Sequence, residues 1–138
     1  MEENFKEKYF EYQMLVQQLQ QLQQNSNALD KHINDLVILQ NNLGTISETK
    51  KDNETLIPLG SGIFLKGELK ENSKVIMNVG SNVAVEKSVD DAQNTVASQL
   101  KEVSNVLDQI KEEINNTTES LKLLEKEFEE TREESLRE

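Results

Sequence analysis

Apolar residues recur every three to four positions through the first third of the chain. With Phe5, Tyr12, Leu19, Ser26, Ile33 and Gln40 at heptad position a, position d holds Lys8 and then five consecutive leucines, Leu15, Leu22, Leu29, Leu36 and Leu43. This spacing predicts a helix over 4–48 with a narrow coiled-coil seam. The run "QQLQQLQQ" has its leucines on that seam, so its glutamines form a neutral solvated face. Gly44, just past the last seam leucine, is read as an end or fraying point.

The last third repeats the pattern. Gln93, Leu100, Leu107, Ile114, Leu121 and Phe128 take position a. Val89, Val96, Val103, Ile110, Thr117, Leu124 and Thr131 take d. This predicts a second helix over 88–136, with Ser88 and Asp91 as an N-cap signal. Two helices of equal length joined by a compact connector pair antiparallel. If a faces d, the numbers of facing residues add to about 136, which sets Leu36 against Leu100 and Leu29 against Leu107; a register one heptad away satisfies the same pattern. Gln40 and Gln93 are polar seam positions that set register.

Between the helices the period changes from helical to alternating. "TLIPL", "GIFLKGEL", "KVIMNV" and "NVAVEK" read as four strands within 55–87, separated by the turn residues of "GSG", "KENS" and "GSN". Ile63, Leu65 and Leu69 alternate onto one face, as do Val75, Met77 and Val79, then Val83 and Val85. The other face still carries Phe64, Ile76 and Ala84. Pro58 lacks an N–H and belongs on an edge or at a strand end. Gly67 interrupts the alternation and is read as a bulge. Two small hairpins with apolar residues on both faces are not stable alone in water. Their open edges make this block an assembly surface, and Ile63, Leu65, Val75, Met77, Val79, Val83 and Val85 are its expected interface residues. The predicted class is α+β, mainly α: a long antiparallel two-helix coiled coil carrying two central hairpins, all in one domain, 1–138.

Composition narrows the chemistry. The chain has 138 residues, 35% of them hydrophobic and 4% aromatic, which suits long helices better than a globular core. A formal net charge of −11 disfavours a nucleic-acid partner. The charge is uneven: 54–88 is neutral, with four Glu and four Lys, while "EKEFEETREESLRE" has seven acids against three bases. The chain has no cysteine, so disulfides, thiolate metal sites and cysteine nucleophiles are out, in keeping with a reducing cytoplasm. No apolar run reaches membrane-span length, and "MEENFKEKYF" lacks the apolar core of a signal peptide. His32, the sole histidine, flanks the seam as a solvated residue. "GSGIFLKG" is not a dinucleotide loop, because Leu65 stands where the third glycine would fall. Asp90–Asp91 and Glu112–Glu113 are helix-surface charge. Asn53, Asn115 and Asn116 fit glycosylation sequons without a secretory signal to use them. No cofactor, metal or catalytic residue is expected, and the chain is not read as an enzyme.

The residues "PLGSGIFLKGEL" and "VIMNVGSNVAVEKSVDDA", set between two long heptad segments, resemble the α-type subunit of the prefoldin family, in which two hairpins rather than one distinguish the α type from the β type. The resemblance implies an ATP-independent chaperone subunit. Two α-type and four β-type subunits would join hairpins into a β-barrel body with six coiled coils hanging from it. Non-native polypeptides would be held at the free ends of the arms and passed to a group II chaperonin. Five of the six aromatic residues fall near the two termini, which the antiparallel pairing brings together. Phe5, Tyr9, Phe10 and Tyr12, with Leu121, Leu124 and Phe128, are the expected substrate-binding residues; Met14, Leu123 and Leu136 lie in the same zone. Tyr9 and Phe10 are off the seam. The alternative is a structural coiled-coil scaffold or filament-forming protein of prefoldin-like shape, for which exposed apolar arm ends are unnecessary.

Overall fold

The computed structural model describes residues 2–137. Six elements follow one another: α1 (Glu2–Glu48), β1 (Glu54–Gly60), β2 (Ile63–Glu68), β3 (Lys74–Asn78), β4 (Ala84–Ser88) and α2 (Val89–Arg137). They form two compact units. One holds the chain up to His32 and from Val103 onward; the other holds Ile33–Glu102.

In the terminal unit, α1 and α2 run antiparallel and meet along the heptad seam. Leu22, Leu107, Leu121 and Leu124 are buried there, with Thr117 the buried polar residue among them. Leu15, Leu19, Ser26, Leu29, Ile110 and Ile114 are half-buried, whereas the glutamines between the leucines are exposed. Pairing follows the expected register: Lys8 meets Glu127 and Tyr12 meets Glu125, and each pair of numbers adds to within one of 136.

In the second unit, Leu36, Leu43, Val89, Ala92 and Val96 are buried. Gly44 sits beside Gln93, in the same register. Gly44 does not end α1. The helix continues to Glu48, and its last turn is closed by hydroxyl groups: Thr45 donates to the Asn41 carbonyl, Ser47 to that of Gly44 and Thr49 to that of Thr45. At the other junction the Ser88 hydroxyl accepts from the Asp91 amide at 3.1 Å, so Ser88 is the N-cap that its sequence context predicts.

The strands form two separate antiparallel hairpins, β1–β2 and β3–β4. Their turns are alike. Ser61 and Gly62 have φ of 50° and 81°, and Ser81 and Asn82 have 51° and 62°. Positive φ at both central residues is the sign of a type I′ turn, whose twist matches that of the strands it joins. The segments "LGSGIFLK" and "VGSNVAVE" therefore fold as two copies of one hairpin plan. In β3–β4, Met77 pairs with Val85 and Val75 with Lys87, which puts Val75, Met77 and Val85 on one face and Ile76 and Ala84 on the other. In β1–β2, Ile57 and Leu65 face each other, as do Pro58 and Phe64.

The bulge is not at Gly67. Gly67 pairs regularly with Thr55, and the register slips at Leu59, between Pro58 and Gly60. Gly67 answers a packing need instead: a Cβ there would lie 2.8 Å from Ile57 Cδ1. The hairpins are tied to the helices through 69–73. The Asp52 amide donates to the Leu69 carbonyl, the Asn72 side-chain amide to the Thr49 carbonyl, and the Val89 amide to the Ser73 carbonyl.

Candidate functional site

Two surfaces gather most of the exposed large apolar residues, one in each unit; Val37, Ile38, Leu39 and Val106 are exposed elsewhere on the helices. The first is at the paired helix ends. There α1 presents Phe5, Tyr9, Phe10 and Met14, and α2 presents Leu123 and Leu136, all exposed. Phe5 stacks on Tyr9, with ring centroids 6.5 Å apart, because the two are one helical turn apart on α1. The Phe128 ring meets Phe5 edge-on at 5.5 Å and Tyr12 at 5.8 Å. The Tyr12 hydroxyl donates to Glu125 Oε1 at 3.1 Å. That hydrogen bond to a carboxylate, reinforced by the carboxylate's charge, raises the phenol pKa above 10.0 and keeps it a donor. Beside this cluster, Phe5 and Phe128 line an open cleft of about 680 Å³ rimmed by Lys6, Lys8, Glu127 and Glu134.

The expected binding residues thus divide. Phe5, Tyr9 and Phe10 are open to solvent; Tyr12 and Phe128 are half-buried; Leu121 and Leu124 lie in the seam and present almost no surface. The two leucines occupy a and d, the positions that the antiparallel helix covers.

The second surface is the hairpin pair. Ile63, Leu65, Val79, Val83 and Val85 are exposed, while Val75 and Met77 are half-buried. Sequence alternation on a single face missed Leu56, Ile57 and Leu59 of β1, which are equally exposed. The run of apolar residues in "TLIPLG" was the signal for them, because a strand covered on both faces reads as continuous rather than alternating. In β1–β2, therefore, apolar side chains are exposed on both faces, and among the described residues each strand has no ladder partner on its outer edge. The single ion pair there, Lys66 to Glu54 at 3.8 Å, is exposed and adds little.

Among the described residues no group of three or more His, Cys, Asp and Glu could hold a metal ion. His32, Asp90, Asp91, Glu112 and Glu113 are all exposed helix residues. No described helix is long and apolar enough to cross a membrane.

An antiparallel helix pair whose chain turns back through two apolar hairpins defines a class of assembling coiled-coil proteins. The family model described as Prefoldin subunit matches residues 15–134. The chain belongs to the prefoldin family. It is 35% identical over 109 residues to a prefoldin subunit alpha of Methanobrevibacter smithii, covering 79% of this chain and 74% of that protein. It is 36% identical over 94 residues to a prefoldin subunit alpha of Thermococcus onnurineus, of which it spans 64%. A third subunit of that name, from Methanococcus aeolicus, is 26% identical over 130 residues, which is 94% of this chain. In fold the chain is similar to a filamentous prefoldin of Methanocaldococcus jannaschii solved by cryo-electron microscopy. The TM-score is 0.72 at 19% identity, with 83% of this chain and 95% of that chain covered. A prefoldin chaperone-type role, in assembly with other prefoldin subunits, goes with this membership.

Proposed function

We propose that the chain is the α-type subunit of an ATP-independent cytoplasmic holdase. Its hairpins join those of β-type subunits, two α-type to four β-type, in a common β-barrel body. Non-native polypeptides bind at the paired helix ends and pass from there to a group II chaperonin. One observation supports the binding step above all: Phe5 and Tyr9 stand exposed on α1 beside Phe128, and Phe10 stands exposed on the same helix, where a coiled coil that only needed to be stable would carry polar residues. Apolar contact contributes about 25 cal/mol per Å² without requiring a fixed partner shape. Several such ends acting on one unfolded chain convert weak contacts into tight holding through effective concentration.

The test is a chain cut to residues 13–120 and co-assembled with a β-type partner. It keeps both hairpins and most of the seam, so it should still assemble and remain helical. It should lose most of its ability to stop a chemically unfolded model protein from aggregating. Full protection by the shortened assembly would end the reading. The scaffold or filament alternative draws only on likeness of fold to a filamentous relative; a full-length assembly with no protective effect at all would favour it.

A further inference from the structure

The apolar seam stops one heptad short of the helix ends. Leu121 and Leu124 are each 8% exposed, and Phe128 is half-buried. Beyond them both d positions are polar and exposed: Lys8 on α1 and Thr131 on α2. The register sets Lys8 opposite Phe128 and Phe5 opposite Thr131, so each of these layers pairs an aromatic residue with a polar one. Four contacts span the last heptad, one of them the edge-on meeting of Tyr12 and Phe128. Lys8 Nζ lies 2.9 Å from Glu127 Oε2, with the two side chains 47% and 48% exposed. Phe5 touches Phe128 edge-on, and at the inner margin Tyr12 bonds Glu125. The open cleft lies beside these contacts, with Lys8, Glu127, Phe5 and Phe128 in its lining.

We propose that this last heptad is a latch. The Lys8–Glu127 ion pair holds the helix ends together weakly, and an unfolded apolar segment enters by parting them. Parting the ends adds the covered faces of Phe128 and Leu124 to the exposed Phe5 and Tyr9. A leucine at position 8 would extend the leucine run of position d and weld the ends. A lysine there leaves closure to edge-on aromatic contacts and an exposed ion pair, and such an ion pair is intrinsically weak. Closed ends hide apolar surface from other copies of the assembly, and cargo shifts the balance because it contacts only the open form. The inference rests on the holdase reading and specifies how its binding surface becomes available.

The chain lacks cysteine, so Lys8→Cys with Glu127→Cys gives a unique pair in the full-length assembly. The pair is bridged by a short bis-maleimide with a reducible centre. The readout is light scattering of guanidinium-unfolded citrate synthase diluted into buffer. Bridging should raise the assembly concentration needed for half-protection by about ten-fold, since apparent affinity scales with the fraction of open ends. Reductant should restore it. Two single variants give a second route. Lys8→Leu should raise the melting temperature and weaken protection. Lys8→Glu, which sets a carboxylate against Glu127, should strengthen protection by about two- to five-fold, the factor an exposed ion pair can supply. Bridged ends that protect as well as free ones, or Lys8→Leu and Lys8→Glu assemblies that protect equally, would overturn the latch. If these fail while the 13–120 chain still loses protection, the holdase reading stands and the latch alone falls. Full protection by the 13–120 chain overturns both.

Discussion

Leu36 on the helical seam is 6% exposed, and Ile63 on β2 is 61% exposed. Both are large aliphatic residues in regular secondary structure within the same unit of one chain. The seam satisfies itself: each leucine of position d finds its cover on the antiparallel helix, and the glutamines between them stay in water. The hairpins satisfy only their backbone. Each strand has one hydrogen-bonded neighbour, and its side chains find little cover within the chain. Apolar residues thus have two uses here. On the helical seam they hold the fold of the chain itself. On the hairpins they stay exposed, which fits the proposal that another chain covers them.

The sharpest way to break this contrast is to remove the apolar character of one hairpin. Replacing Val75, Met77 and Val79 together with Ser should release single chains or small species in sedimentation velocity, while far-ultraviolet circular dichroism stays helical. An assembly that survives unchanged would mean that the hairpins are not the joining surface.

A second change acts on the other side of the comparison. Leu36→Ala removes a buried seam residue and should lower stability by about 2–5 kcal/mol in chemical denaturation, as large-to-small core substitutions do. The same truncation at exposed Ile63, measured on the isolated chain, should stay within about 0.5 kcal/mol, as surface changes do. Equal effects at the two sites would erase the distinction.

The smallest expected effect tests the five-residue link, 69–73, that joins the two hairpins and ties them to the helices. The Ser73 hydroxyl and amide both donate to Glu71 Oε1, at 2.5 and 3.0 Å, and these bonds hold the Glu71 carboxyl below its ordinary pKa of 4.5. A depressed carboxylate contributes stability that is present above its unfolded pKa and lost as pH falls through the folded value. Ser73→Ala should therefore lower the melting temperature slightly at neutral pH. The gap from the parent chain should close as the pH drops below 4.5. A gap independent of pH would separate Ser73 from Glu71.

The helical half of the fold was open to reading because its rule is local and repetitive. Nearly every a and d residue from Tyr12 to Gln40 and from Val89 to Phe128 is at least half-buried, and the facing pairs keep one register. The hairpin strands were legible from alternation and turn chemistry, and Ser88 as a cap from its neighbours. The misses have physical causes. Gly67 was assigned a bulge because glycine in a strand has two meanings, and only the position of Ile57 across the ladder separates them. The bulge at Leu59 follows from how the Ser61–Gly62 turn fixes the register, which alternation alone does not encode. Leu121 and Leu124 were grouped with the binding residues by nearness to the chain ends. Their heptad positions already placed them inside, and position outweighed proximity.

The matched register also says in what order the chain assembles. Bringing Tyr12 directly to Glu125 closes a loop across 113 residues. The two type I′ turns need no such search, because hairpins of this kind form within about 1–10 μs from local contacts. Once they exist, the last turns of α1, around Gly44, and the first turns of α2, around Gln93, are the first helical segments able to meet. Each further heptad then lengthens an already closed loop only slightly, and loop entropy rises by just about 0.6 kcal/mol per doubling. On these loop-closure grounds the coil is predicted to zip outward from the hairpins. During synthesis the leucines of α1 wait uncovered until the hairpins and the first turns of α2 have left the ribosome, so the subunit passes through its own interval of exposed apolar surface before it can cover it.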